Sequence, residues 1–271
     1  MLIALAAKYP VEDTPVRSIM YCIITFVLVC TVFPLPARSD GPALRVAVDV
    51  PYPPFAEEDK DGNLYGFDVD IAHALCKELG RTCDVRKVPF DEIIPSIVEG
   101  KIDIAVAGMG ASEERKKLVD FTERYFRSLS IFIERAGTLP GISPDTLKGL
   151  KVGAQVDTLQ ADYLRKSYGD SIILVTASSH DELFHMLKDK RVDLILVDGL
   201  PGYARLKSDL GDGLETVGEP VDSGSVMDWA SIAVSKKQPE LREAVNEAIQ
   251  TLRRNGEYGR INRKYFDFNI Y

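Results

Sequence analysis

Apolar and polar positions change period several times along the chain, and each change marks an element. Leu44 to Val48 alternates as a strand and runs into Asp49-Val-Pro-Tyr-Pro-Pro-Phe55. The prolines there forbid a helix and stiffen a loop that carries Tyr52 and Phe55 past the strand end. Glu57 to Asn63 is polar and reads as a hairpin tip around Asp61-Gly62. Ile71, Ala72, Leu75 and Leu79 recur at helical spacing, which predicts a helix from about Val69 to Leu79, capped by Asp68 and stopped by Gly80. A strand over Thr82 to Val88, a helix over Asp91 to Glu99 and a buried strand from Ile102 to Ala107 follow. Ser112 then caps a short helix with Arg115 in its first turn. Ser130 to Glu134 has the pattern of a strand able to cross to another domain, and the Gly- and Pro-bearing loop Gly137 to Gly149 marks a boundary.

Beyond that boundary the pattern repeats. Lys151 to Gln155 reads as a strand leading to a helix from about Thr158 to Tyr168, capped by Asp157 or Thr158. The segment Asp91 to Gly108 can be laid without gaps on Asp181 to Asp198, with acidic pairs, apolar helix positions, an aspartate and a terminal strand coinciding. Any helix-then-strand unit shares part of such a pattern, so chance is the competing explanation. Ser179 caps the second of these helices, with Glu182 in box position. Trp229 to Val234, following a Gly-bearing turn within Val217 to Ser235, reads as a second crossing strand. An amphipathic helix from Pro239 to about Arg254 and the tail Tyr265 to Phe268 are expected to pack on the first lobe. The expected division is a leader over residues 1–37, a first lobe over 38–134 plus 230–271, and a second lobe over 135–229. Two crossings make a hinge.

Composition changes this picture little, but it narrows the partners. The 271 residues are 45% hydrophobic and 27% charged, enough for two modest domains. A formal net charge of -8 with scattered basic residues argues against nucleic acid and leaves a small molecule or a protein. Ile19 to Phe33 is almost wholly apolar, with Arg17 before it and Pro34-Leu-Pro-Ala37 after it, the pattern of a secretory signal cleaved after Ala37. An uncleaved anchor is the alternative, although the run is shorter than the roughly 20 residues of a membrane span. Removing the leader leaves Cys76 and Cys83, which in an exported protein are expected to pair. Apart from His73, three residues before Cys76, no His or Cys lies near either, too few ligands for a site, so no metal is expected.

The stretch Val106 to Arg115 carries the candidate chemistry. Gly108 and Gly110 leave backbone N–H groups approachable at a strand-to-helix turn, and Arg115 adds a guanidinium fork, which together suit one planar carboxylate. Plain turn geometry explains the same glycines. Gln155 and Thr158 face whatever lies beyond their strand end, and Asp198 ends its own strand with a carboxylate that gains meaning only opposite Arg115. Tyr52 either packs under its loop or stacks on a ligand.

From about Leu44 to Tyr271 the chain resembles the periplasmic amino-acid-binding proteins of bacterial ABC importers, solute-binding protein family 3, nearest the lysine/arginine/ornithine- and histidine-binding group. The resemblance rests on Asp49-x-x-Tyr52-x-Pro-Phe55, Gly66-Phe-Asp-Val-Asp70, Cys76 with Cys83, Phe90, Ser112-Glu-Glu-Arg115, Val152-Gly153 with Thr158 and Gln160, Asp198, and Lys264-Tyr-Phe-Asp-Phe268. It implies an α/β, two-lobed periplasmic-binding-protein fold of type II, each lobe a mixed sheet flanked by helices, joined by a two-strand hinge. It further implies a periplasmic monomer without cofactor that hands an amino acid to an inner-membrane permease.

By the same resemblance Arg115 holds the ligand α-carboxylate, helped by backbone and hydroxyl donors at Gly108, Gly110 and Thr158, while Asp198 holds the α-ammonium. Tyr52 and Phe90 sandwich the side chain, Asp49 meets a cationic side-chain end, and Gln155, Leu159 and Gln160 make second-lobe contacts. The chain departs from the histidine-type group where Ala107, Gly108 and Gly110 replace serines and Asp157 replaces a glycine, changes that point towards altered carboxylate binding or a solute such as an opine. An exported enzyme resembling cyclohexadienyl dehydratase is the alternative. It would need a positioned general acid, and a charge-paired, ionised Asp49 or Asp198 is expected to serve poorly. A sensor domain of a signalling protein is a third reading, disfavoured because no later membrane span or kinase is expected in the sequence up to Tyr271.

Overall fold

The computed structural model describes residues 42–221 and 229–271. The expected leader over residues 1–37 and part of the turn expected within Val217 to Ser235 lie outside the described residues. The chain first lays down β1 (Leu44–Val48), a short hairpin of β2 (Glu57–Glu58) and β3 (Leu64–Tyr65), then α1 (Phe67–Glu78) and β4 (Cys83–Lys87). Next come α2 (Phe90–Val98), β5 (Ile104–Met109), α3 (Glu113–Leu118) and β6 (Asp120–Arg127). The middle of the chain supplies β7 (Ser130–Arg135), α4 (Pro144–Leu147), β8 (Lys151–Gln155), α5 (Leu159–Tyr168) and β9 (Ile173–Ala177). It continues through α6 (His180–Lys188), β10 (Leu194–Asp198), α7 (Gly199–Leu206) and β11 (Leu214–Val221), before β12 (Trp229–Val234), α8 (Pro239–Arg254) and α9 (Glu257–Tyr265) close the described chain.

These strands form two five-stranded mixed sheets, ordered β4-β1-β5-β12-β6 and β9-β8-β10-β7-β11. In each sheet the first three strands run parallel, and β12 or β7 lies antiparallel against the middle one. The repeated segments therefore occupy corresponding places: α2 with β5 in one lobe, α6 with β10 in the other. Their two-residue alternation feeds cores on both faces of each sheet. In β5, Ile104 and Val106 join the cluster under α1, α8 and α9, while Ala105 and Ala107 join Ile93 and Ile97 of α2. In β10, Leu194 and Leu196 meet Leu164 of α5, while Ile195 and Val197 meet Leu183, Phe184 and Leu187 of α6. Of the expected aromatic tail, Phe266 packs on the first lobe with Tyr265 partly buried beside it, while Phe268 is exposed; Tyr258 of α9 and Ile270 join the same core.

The chain passes between the sheets twice, once between Arg127 and Ser130 and again between Val221 and Trp229. Because β7 pairs with β10 and β11, the first passage falls at Ser128 and Leu129, ahead of the boundary at 134 suggested by composition. The Gly/Pro loop that suggested the later boundary lies inside the second lobe, where Ser143 and Thr146 form a capping box on α4.

Two local expectations are corrected. The N-cap of α1 is Gly66, without a side-chain cap bond, and Asp68 sits inside the first turn, fully buried. There its Oδ1 accepts from the Tyr125 hydroxyl at 2.9 Å, and that hydroxyl accepts from the Gly108 N–H at 2.9 Å. Burial pushes the Asp68 carboxyl up to about 8, opposed by the Tyr125 hydrogen bond. Around α6, Ser179 accepts from the Glu182 N–H at 3.2 Å, but the Glu182 carboxylate turns to the N–H and hydroxyl of Ser178, so the box is half formed.

Cys76 near the end of α1 and Cys83 at the start of β4 are disulfide-bonded, with Cα atoms 5.7 Å apart and a sequence separation of 7. The chain-entropy model gives about 2.5 kcal/mol for so short a ring. The Cys76→Ser/Cys83→Ser double variant is expected to melt about 5–10 °C lower by calorimetry. An unchanged midpoint would show that the bridge does not constrain the unfolded chain. A second expectation concerns pH. Asp68 has a folded pKa raised above its unfolded value, so its contribution is fully present below about pH 4 and is lost as pH rises towards 8. Asp68→Asn should therefore gain stability relative to the unsubstituted protein from pH 5 to 8.5, by at most about 1.4 kcal/mol per pH unit, measured by urea titration. Parallel stability curves for the two proteins would contradict a buried, protonated Asp68.

Candidate functional site

Both middle strands end at the same place, the cleft between the lobes, where ligand groups gather in open α/β sheets. Beyond β5, the Ser112 hydroxyl accepts the Arg115 N–H at 3.2 Å and starts α3, which fixes Arg115 in the first turn. The guanidinium is buried. Its Nη1 donates to the Gly110 carbonyl at 2.8 Å, and Nη2 donates to the Asp157 carbonyl of the second lobe at 2.6 Å. The Phe90 ring lies beneath it, 5.3 Å from centroid to Cζ. Burial lowers its pKa to about 10, with the Asp162 and Asp157 carboxylates opposing, so it remains a cation at neutral pH.

Asp198 ends β10 and caps α7. Its Oδ1 accepts the Leu200 N–H at 3.1 Å and the hydroxyl of Ser128, which belongs to the first interlobe passage. The Tyr52 hydroxyl also hydrogen-bonds to it. Gly199 allows this arrangement, because a Cβ there would stand 2.5 Å from the Leu129 carbonyl oxygen. Burial pushes Asp198 up to about 6 against those donors. Arg115 and Asp198 line one cavity together with Phe90, Gly108, Gly110, Thr158, Leu159 and Gln160. A second cavity shares Phe90, Gly108, Thr158, Gln160 and Asp198 with it and adds Tyr52 and Gln155. A guanidinium from one lobe and a carboxylate from the other thus face a shared space, which suits a small zwitterion.

Several expected donors are already engaged. The Gly108 N–H is held by Tyr125, not left open, and Gly108 has a φ of 59°, the left-handed region that favours glycine. Gly110 is bonded through its carbonyl, which also accepts from Ser112 N–H at 3.2 Å. Thr158, not Asp157, caps α5, and its hydroxyl donates to the Gln155 carbonyl at 2.7 Å. Asp157 adopts a φ of 57°, a conformation glycine takes freely and aspartate tolerates, so replacing glycine keeps the turn.

Tyr52 packs against Phe55 with ring centroids 5.5 Å apart, and it also lines the second cavity. Gln160 donates from Nε2 to the Ser130 hydroxyl at 3.0 Å. Asp49 lines neither of these two cavities; it is buried behind Gln155, whose Nε2 lies 3.5 Å from its Oδ2. Burial pushes Asp49 up to about 7, with Gln155 opposing and Asp91 adding to the rise. Asp49 and Asp198 are thus held by neutral hydrogen-bond donors and raised in pKa, where charge-paired carboxylates were expected. Ser128, Phe126, Trp229 and Ala230 complete the first cavity, and His180, Leu183, Leu196 and Val197 the second, without having been singled out as site residues in the sequence. Their common signal is position, at a strand crossing or at or just past a strand's C-terminal end.

The profile of the bacterial extracellular solute-binding proteins, family 3, matches residues 44–268. The L-arginine-binding protein of Pseudomonas aeruginosa is 33% identical over 249 residues, covering 90% of this chain and 95% of its own. The lysine/arginine/ornithine-binding periplasmic protein of Escherichia coli is 29% identical, with coverages of 84% and 89%. Among solved structures, an ancestral arginine-binding protein bound to glutamine superposes with a TM-score of 0.76 at 34% identity, covering 83% of this chain and 98% of its own. With a family profile spanning nearly all the described residues and relatives matched along almost their whole length, the chain belongs to the bacterial extracellular solute-binding proteins of family 3.

Proposed function

We propose that this protein captures a polar or cationic L-α-amino acid between its lobes in the periplasm and delivers it to an inner-membrane ABC permease. The observation that carries this reading is the shared cavity of Arg115 and Asp198, one from each lobe. In it the guanidinium receives the α-carboxylate and Asp198 the α-ammonium, while Phe90 and, from the adjoining second cavity, Tyr52 flank the side chain. Binding to both halves favours the closed arrangement. A third recess, sharing Phe90 and Arg115 with the first cavity, is bordered by the carboxylates of Asp91, Glu114, Asp157 and Asp162, a field that favours entry of cations. The relatives named for arginine make L-arginine the first ligand to test. The same relatives are binding proteins, which supports a receptor over a catalyst.

Isothermal titration of L-arginine tests the reading. Arg115→Ala is expected to weaken binding by about 100-fold or more while the protein stays folded, since a ligand carboxylate in the closed cleft loses its cation. Near-normal affinity would place the carboxylate elsewhere. Asp198, raised to about 6, must ionise to receive an ammonium. Affinity is therefore expected to hold at pH 8 and to weaken below pH 6, approaching about tenfold per pH unit. A flat profile down to pH 5 would separate Asp198 from the ligand's charge.

A further inference from the structure

His180 is the side chain that the reading above leaves without a task. It is the first residue of α6, just past the end of β9, and is 3% exposed. Neither Nδ1 nor Nε2 has a hydrogen-bond partner, although both are buried. Buried polar side chains are rarely left so, because each unmade hydrogen bond costs stability. The ring is held by its carbon surfaces: edge-on to Tyr52 with centroids 5.4 Å apart, and tilted against Phe184 at 5.4 Å. It lines the second cavity with Tyr52, Gln155, Gln160, Leu183 and Leu196. Burial, with the nearby Arg205 charge, pushes its pKa down to about 3, so the imidazole is neutral at any physiological pH.

Its neighbours define what could meet it. The Gln155 Nε2 donates to the Ser178 carbonyl at 3.2 Å and points at Asp49, which leaves its Oε1 as the free end of the amide. In the neutral imidazole one ring nitrogen accepts and the other keeps an N–H, so with the amide oxygen the pair offers two acceptors to one donor, and Leu183 and Leu196 are apolar wall. The compartment therefore complements a side chain with an apolar stem and N–H donors at its tip.

Resting on the amino-acid reading above, we infer that His180 is a specificity-determining residue of this site. It accepts a hydrogen bond from the far end of the bound amino acid's side chain and selects side chains that end in N–H donors. The competing role is that of an aromatic spacer between Tyr52 and Phe184. His180→Phe separates the two, because it keeps the ring and removes both nitrogens; His180→Gln restores a hydrogen-bonding end.

The test is calorimetric titration of the purified protein and both variants with L-arginine and with L-norvaline, which carries the same α-groups and no terminal donor. His180→Phe is expected to weaken L-arginine by about tenfold or more. It should leave L-norvaline within about twofold, while His180→Gln recovers most of the L-arginine affinity. Unchanged L-arginine affinity in His180→Phe, or an equal loss for both ligands, overturns the inference. If the unsubstituted protein binds neither compound, the reading of L-arginine as its ligand falls and this inference with it. If it binds L-arginine and His180→Phe matches it, only the inference falls.

Discussion

A guanidinium that is nine-tenths withdrawn from water must find acceptors, because an uncompensated buried charge costs several kcal/mol. Arg115 finds them on both sides of the cleft, in the carbonyls of Gly110 and Asp157. That one side chain makes the lobes interdependent. The first lobe supplies the charge and the cap that aims it; the second supplies a carbonyl held outward by the left-handed turn at Asp157. A ligand carboxylate entering here competes for donors that already have partners, so the net gain from binding is smaller than a bare ion pair would suggest.

The opposite pole is built by the same logic. Asp198 is tied to Ser128 of the interlobe passage, to Leu200 of its own helix and to Tyr52 of the first lobe. A carboxylate with donors from both lobes and from the passage between them registers how far the lobes have closed. Its raised pKa reports the same crowding: the donors present do not fully replace the water that burial removed.

Much of this was legible in the residues. The gap-free overlay of Asp91–Gly108 on Asp181–Asp198 anticipated two equivalent middle strands, because a helix-then-strand unit writes both its periods into the sequence. Ser112, Ser179 and Thr158 as caps followed from local chemistry. What stayed hidden depends on contacts far apart in the chain. That Asp68 accepts from Tyr125 instead of capping its helix is set by a strand 57 residues later. The retreat of Asp49 behind Gln155 is likewise a contact across 106 residues. His180 carries no spacing signal at all, since a lone histidine after a serine cap looks the same on a surface as in a cleft.

The strand order has a consequence for how the molecule comes into being. In the first sheet β12 lies between β5 and β6, yet it is made only after the whole second lobe. While the chain is growing, β5 has an open edge and β6 has no neighbour in its sheet, and the helices α8 and α9 that cover Phe67 and Ile71 do not yet exist. The half synthesised first is thus the half finished last. A nascent chain released before Trp229 would expose an adhesive strand edge and an uncovered aromatic core, so assembly of the first lobe is timed by the arrival of the segment from Trp229 onward.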